Sequence, residues 1–468
     1  MSEFVRTRAI PQFYRDVFTR LIDLPEVDTM PARVVAEIFS FKSADLEHLE
    51  PMIAAAKTGL DSEKDSALKN MLLAITLANR VYECDEQGEP KKLPAELCAQ
   101  MTEYIVAALK ANNNTDYIVA AIQVLFRVNE ISSALFLINN NLSLVSDSGP
   151  VLKMLLLVCL MEEDYNQAMV VIQVLASDAA LIGEDPLTLL MISCAIYKMG
   201  GLPDSFIDFR TLDGNTSSHD GGGEYTWILE KESKENTTVL IACDKRDYFI
   251  YALPLVFSVY ETNRGVLDVH LHLYNPDDEV KDSVIALRQQ LAELHISATL
   301  EHVPEFKNMA LQYSARRTIF LAYALRQFAT PLISMNADLL VRKPWVSPGT
   351  PLLLLQNDAS PFWETIFSGF FYAEQGTVTQ RYFDIVTRFI GNNLKDEAYP
   401  LCLEQVALIV SLDRLSATEQ LVISRVAQNT VLDVSNQDDV FCWLSSDKGK
   451  AGESSQKYKA ALIKKYQR

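Results

Sequence analysis

The chain has 468 residues, 49% of them hydrophobic and 22% charged, and carries a formal net charge of −19. Its length fits roughly two to four domains. So acidic a chain lacks the Lys/Arg clusters that sequence-independent nucleic-acid binding requires, and the short basic tail (Lys464, Lys465, Arg468) does not reverse that or favour docking on anionic membranes.

The N-terminal stretch MSEFVRTRAIPQFYRD is charged and aromatic, without the apolar run of a signal peptide. No segment reaches the roughly 18 uninterrupted apolar residues of a membrane span. The seven cysteines (Cys84, Cys98, Cys159, Cys194, Cys243, Cys402, Cys442) include no C-x-x-C pair, and most sit in apolar runs. That usage suits buried thiols in a reducing compartment, so a cytoplasmic location is expected.

Residues 1–210 read as helix after helix. Ser62 to Glu83 places Leu68, Leu72, Ile75 and Ala78 on one face, a helical period. Pro94 opens the next helix, since proline is tolerated in a first turn, and Asn112 to Thr115 breaks it. Tyr117–Arg127, Ile131–Asn139, Val151–Met161 and Asn166–Ala176 follow as short helices. Tyr117–Leu137 superposes on Val151–Val171, with Ala134 falling on Ala168. Leu187–Ser205 is a looser third copy. A 34-residue helix–turn–helix period with a small residue at the crossing resembles the tetratricopeptide repeat, without most of its signature positions. The plainer alternative is an ordinary helical bundle. On either reading this region carries no catalytic cluster. Its expected role is to bind a partner: an acceptor protein or glycan, or its own copy in a dimer.

Leu212 to Glu224, with Gly214 and Gly221–Gly223, marks a linker over 211–236. His219 within it reads as solvated. From Thr237 onward strands alternate with helices, which implies a mostly parallel sheet. Thr238–Ala242 is a buried strand ending in Cys243-Asp244. Phe249–Tyr260 is a helix. Leu267–Tyr274 is an alternating strand on which His270 and His272, lacking a third partner, read as half-exposed residues rather than metal ligands. Asp278–Leu294 is a helix, Ser297–His302 a strand and Ser314–Gln327 a helix. Pro331 to Trp345 then gives an apolar strand, Asn336-Ala337-Asp338, and a second apolar run. A carboxylate at the end of a buried strand is costly unless it is paired or coordinates a metal, and ligands of open α/β sheets sit outside the carboxyl ends of strands. Leu352–Leu355 is a further strand.

In motif order, residues 237–415 resemble nucleotide-diphospho-sugar glycosyltransferases of the GT-A fold, of the galactosyltransferase- and glycogenin-like kind. The carrying features are Cys243-Asp244, the helix with Arg316-Arg317, Asn336-Ala337-Asp338 at the place of an Asp-x-Asp, Phe367–Tyr372 (FSGFFY) and Glu404–Leu408 (EQVAL). Beside the all-α helical-repeat domain expected over 1–210 from its own periodicity, this independent resemblance implies an α/β GT-A domain over 237–468. It also implies transfer of a sugar, from UDP-sugar by preference, to a protein or glycan acceptor recruited by the helices.

The resemblance gives Cys243, Asp244, Arg316 and Asn336 to the nucleotide. Asp338, with Asn336, would hold a divalent Mn²⁺ or Mg²⁺ that neutralises the diphosphate. Lys448 and Lys450 would fold over the phosphates. Glu404-Gln405 stands where retaining relatives place a polar group beneath the anomeric carbon, so retention is favoured. For inversion, Asp358 and Glu364 are the candidate bases. Two departures stand out: an amide at position 336, and the missing late histidine of the metal site, for which Asp438, Asp439 or a water would substitute. They leave open a second function, an interaction protein whose transferase domain has lost catalysis.

Overall fold

Four apolar segments, Thr237–Cys243 (β2), Leu267–Tyr274 (β3), Ile296–Glu301 (β4) and Leu332–Met335 (β5), form the parallel centre of the protein's main sheet. They appear in a computed structural model describing residues 9–20, 22–25, 27, 32–38, 62–82, 93–183, 185–213, 223–232, 235–394, 400–445 and 453–466. The chain divides into two units, Met1–Ala195 and Ile196–Arg468.

Among the described residues every element of the first unit is helical. The chain runs through Gln12–Thr19 (α1), Ala32–Ile38 (α2), Ser62–Ala78 (α3), Ala95–Ala111 (α4), Thr115–Arg127 (α5), Ile131–Asn140 (α6), Gly149–Met161 (α7), Tyr165–Ser177 (α8) and Pro186–Lys198 (α9), the last crossing into the second unit. Helices α5 and α7 start at Thr115 and Gly149, and α6 and α8 at Ile131 and Tyr165, so the two pairs share one spacing. Both leading helices end alike. Asn129 (φ 67°) and Glu163 (φ 59°) turn left-handed, and the amides of Glu130 and Asp164 reach back to Leu125 O at 2.9 Å and Cys159 O at 2.8 Å. That is the Schellman closure, which satisfies the helix-end carbonyls. In the second unit α9 closes the same way through Gly200 (φ 87°) and Gly201 N–Ile196 O at 2.9 Å. Ala134 and Ala168 are buried. A buried cation ties the unit together. Arg127 donates to Asn79 Oδ1 at 2.6 Å, to Thr19 Oγ1 at 3.3 Å and to the Thr19 carbonyl, while Asn79 donates to Ile38 O at 2.6 Å. Burying a guanidinium is tolerable only when its donors are paired in this way.

The second unit begins earlier than expected. The division falls after residue 195 rather than 210, because residues 196–213 pack into the α/β core. Phe209 is buried between Tyr197 (ring centroids 4.8 Å apart) and Phe389 (5.6 Å), and Asp208 N donates to Asn393 Oδ1 at 2.6 Å. Within the expected linker, Tyr225–Leu229 is an edge strand (β1). Its Tyr225 and Trp227 pack edge-on against His272 and His270. His219, Gly221 and Gly222 lie outside the described residues.

The remaining strands are Leu339–Val341 (β6), Leu352–Gln356 (β7), Ile366–Ala373 (β8), Ile423–Ala427 (β9), Leu432–Asp433 (β10) and Cys442–Leu444 (β11). The main sheet runs β1-β4-β3-β2-β5-β8-β7-β9, mostly parallel, with antiparallel pairing at β1/β4, β5/β8 and β8/β7. A small second sheet runs β10-β11-β6. Leu253–Asn263 (α10), Asp278–Gln290 (α11) and Glu453–Tyr466 (α15) supply core residues to the face of Val239, Ile241, Val269 and Leu271. Met309–Gln327 (α12) covers the other face, where Phe320 stacks on His272 at 3.7 Å. Thr377–Asn393 (α13) and Leu403–Leu412 (α14) pack beyond it.

Two consequences follow from covering both faces. First, β3 is buried along its whole length, so His270 and His272 are buried, not half-exposed as expected. An inner strand of a parallel sheet has no solvent face. Second, the strand order reverses at β2/β5. The chain steps from β2 through β3 to β4 on one side and returns to place β5 on the other, which makes a crevice at the carboxyl ends of β2 and β5.

The helix expected over 249–260 starts with a π-helical turn at Tyr248–Ala252, where Leu253 N donates to Tyr248 O. Pro254 explains the widening, since it has no N–H to continue an i→i−4 ladder.

Candidate active site

A pocket of about 380 Å³ opens at that crevice, lined by Ala242, Cys243, Asp244, Arg246, Asp247 and Tyr251 from the β2 end, and by Asn336, Ala337 and Asp338 from the β5 end. The third wall is α12, through Met309, Ala310, Tyr313, Ser314 and Arg317. Positions three or four residues apart share a helix face, and these five form one stripe. Asn308 caps the helix by accepting from Leu311 N at 3.4 Å, so the amides of its first turn lie at the pocket rim.

Each wall is fixed locally. Asp244 caps the turn after β2, its Oδ1 accepting from Asp247 N at 2.9 Å. Cys243 is buried, and burial first, then Asp244 and Asp247, pushes its thiol well up. It is a wall, not a nucleophile. Tyr313 stacks face to face on Tyr274, centroids 4.4 Å apart and planes 4° apart, while Tyr274 OH donates to the Tyr313 carbonyl at 3.0 Å. Asn336 N donates to Gly369 O at 2.9 Å. Gly369 must be glycine because a Cβ there would come within 2.4 Å of the Phe367 ring and 2.7 Å of Asn336 Nδ2. The Asp338 carbonyl accepts from Ser445 N at 2.8 Å and Ser445 Oγ at 2.9 Å.

Arg317 connects these parts. Its side chain is 8% exposed. It donates to Asn336 Oδ1, to Ser368 O at 2.8 Å and to Glu404 Oε1 at 3.1 Å. Glu404 also accepts from the hydroxyls of Ser314 and Thr318.

The pocket therefore brings together Cys243, Asp244, Asn336 and Asp338 of the residues expected from sequence. Glu404 and Gln405 do not line it. The Glu404 carboxylate is 2% exposed and lies behind Arg317 as its counter-charge. Arg316 does not line it either. One residue is about 100° of helix rotation, and that turns Arg316 to Glu301, which in turn holds His272 Nε2 at 3.1 Å. His272 and His270 share Thr299 Oγ1 at 2.9 Å each, and His270 Nδ1 meets Ser297 Oγ at 2.8 Å. Lys448 and Lys450 lie outside the described residues. Asp358 accepts from Gln356 and Glu364 from Cys402 Sγ at 3.7 Å, and neither lines the pocket. Asp439 pairs with Lys343 at 3.0 Å, and it and Asp438 also lie off the pocket wall. Arg246, Tyr251, Tyr313 and Ser314 were not singled out from sequence, and Arg317 was named there beside Arg316 without being given to the nucleotide. For the α12 residues the usable signal was spacing, since Met309, Tyr313 and Arg317 fall at i, i+4 and i+8.

The donor set does not fit the divalent ion expected from sequence. Such ions take several oxygen ligands. Among the described residues no three His, Cys, Asp or Glu side chains converge. The second ligand expected was Asn336, and its oxygen is held by Arg317. A metal sharing that oxygen would sit within ~4–5 Å of the guanidinium, a repulsion of about 4 kcal/mol per unit of its charge at an effective dielectric near 20. Asp338 remains the pocket's carboxylate at the β5 end.

No protein-family model matches the chain, and no curated protein matches it. Among solved structures it is similar to the WbbM bifunctional glycosyltransferase, at 9% identity and a TM-score of 0.35, over 51% of this chain and 53% of that one. It is similar to the glycosyltransferase GlyE of Streptococcus pneumoniae TIGR4 at 11% identity and a TM-score of 0.33, over 49% of this chain and 63% of that one. A third is the galactosyltransferase LgtC, solved with donor and acceptor sugar analogs, at 9% identity and a TM-score of 0.34, over 50% of this chain and 97% of that one. Among the described residues no helix is long and apolar enough to cross a membrane.

Proposed function

We propose that the chain is a glycosyltransferase that takes a sugar from a nucleotide sugar, with a UDP-sugar as the first candidate. One observation carries this reading: the pocket sits at the carboxyl ends of β2 and β5, where the strand order reverses, and both strand ends expected from sequence line it. Its residue types suit a nucleoside diphosphate. Tyr313, Tyr251 and Cys243 offer apolar surface, Arg246 and Arg317 offer positive charge, and the first turn of α12 offers backbone N–H groups where the helix dipole favours an anion. The nucleoside would lie toward Cys243-Asp244, the diphosphate toward Arg317, and the sugar toward Asp338.

In the reaction the bond from the anomeric carbon to the diphosphate oxygen breaks. The acceptor hydroxyl oxygen bonds to that carbon, its proton passes to solvent, and the nucleoside diphosphate leaves with the bonding pair. Glu404 and Gln405 stand off the pocket lining, and Glu404 is engaged as the counter-ion of Arg317. Retention, the outcome that segment favoured, is tested by the anomer formed. The first unit would recruit the acceptor, protein or glycan, as tetratricopeptide-like helices do. In support, Phe136 on α6 and Val170 at the equivalent position of α8 are 70% and 53% exposed. The second reading, a nucleotide-sugar-binding interaction protein without turnover, is favoured by the engagement of Glu404 as a counter-ion. Incubating the full chain with labelled UDP-sugars and following release of UDP separates the two. Turnover supports the transferase, and binding without turnover supports the interaction protein.

A further inference from the structure

We propose that Arg317 takes the place of a divalent metal in this pocket, so that donor binding and sugar transfer proceed without one. The inference rests on the glycosyltransferase reading and adds to it which group answers the diphosphate charge. Arg317 is the buried cation of the pocket wall, and its position is overdetermined. Glu404 Oε1 at 3.1 Å, Ser368 O at 2.8 Å and Asn336 Oδ1 hold the guanidinium from three elements. Glu404 divides its charge among Arg317, Ser314 and Thr318, so it orients the guanidinium without being its sole claimant.

The amide at position 336 belongs to the same arrangement. A carboxylate there would form a second ion pair with Arg317 and draw its charge away from the phosphates. The neutral amide accepts the hydrogen bond and leaves the charge in place. As the bond to the anomeric carbon breaks, the electron pair stays on the diphosphate oxygen. A guanidinium presents a planar fork of N–H donors to the resulting charge, and being preorganised it needs no reorientation in the transition state. A metal held by one carboxylate and the phosphates is the competing arrangement, and it would have to lie beside this fixed cation.

The test is calorimetric titration of the full chain with UDP, GDP, CDP and ADP, each in EDTA and in excess Mn²⁺. At least one nucleotide should bind with affinity equal in the two buffers. Arg317→Gln should weaken it at least ~10-fold in both, the scale of losing one charge-assisted contact. Should Arg317→Gln fail to fold because Glu404 is left unpaired, the double variant Arg317→Gln/Glu404→Gln removes both charges and should show the same loss. Tightening of ~10-fold or more by Mn²⁺ that Asp338→Asn abolishes would overturn the proposal and leave the transferase reading intact. Absence of binding by every nucleotide in both buffers would overturn the two together.

Discussion

Arg317 and Glu404 meet at 3.1 Å behind the pocket wall, joining the helix before the central strand to a helix that follows the β7–β8 hairpin. Both side chains are nearly excluded from solvent, at 8% and 2% exposure. Removing one partner of such a pair leaves a buried charge and typically costs about 3–5 kcal/mol.

Glu404→Ala should therefore lower the urea-unfolding free energy by about 3 kcal/mol or more, with Glu404→Gln milder because the amide keeps an acceptor for Arg317. If Glu404 were a group acting on the sugar, as its sequence position suggested, Glu404→Gln would instead abolish turnover at unchanged stability. Denaturation curves beside activity of the same variant separate the two roles.

Gly369→Ala tests the seat of Asn336. The added methyl would press on the Phe367 ring and on Asn336 Nδ2. Overpacking of this kind costs roughly 1–3 kcal/mol, and its effect should concentrate on the pocket. Nucleotide affinity should fall at least ~10-fold while far-ultraviolet circular dichroism stays native. Unchanged affinity would mean that Asn336 and its neighbours do not shape the donor site.

The His270–His272 ladder makes stability depend on pH. Burial, joined by the charges of His272 and Lys231, holds His270 well below its usual 6.5, and burial lowers His272 against the opposing pull of Glu301. The unfolded chain therefore binds protons that the native chain refuses. Stability is fully present above the unfolded value of 6.5 and falls as pH drops below it, by at most about 1.4 kcal/mol per pH unit for each histidine. The groups facing the ladder are Glu301, Arg316, Lys231 and Asp268. Urea midpoints across mildly acidic pH should show this loss, and His270→Gln should flatten it. A slope unaffected by that variant would place the acid sensitivity elsewhere.

Much of the α/β unit was legible because its strands are continuous apolar runs. Thr238–Ala242 and Leu332–Met335 stand out wherever they are read, and the acid after each marks a carboxyl end. Strand β1 was not legible, since Tyr225 and Trp227 sit beside a glycine cluster and pack on histidines that lie far along the chain. The same cause hid the burial of His270 and His272. Alternation suggests a solvent face, and only the sheet's covering by α12 removes it. At the site, residue type located Asp244 and Asp338, whose strand context is local. The choice between Arg316 and Arg317 turned on helix phase, and the role of Glu404 on a contact with a distant helix. Neither is written in a local motif.

The most direct measurement of the central claim is a thermal-shift panel of nucleotide sugars on the full chain, repeated on Ala310→Trp, which adds an indole at a pocket-lining position and leaves the charged residues unsubstituted. A ligand present at ~100 times its dissociation constant stabilises the native state by about 2.7 kcal/mol, an upward shift of several degrees. The account expects that shift from at least one nucleotide sugar and its loss in Ala310→Trp. A midpoint that no nucleotide sugar moves, or a shift that survives in Ala310→Trp, would contradict it.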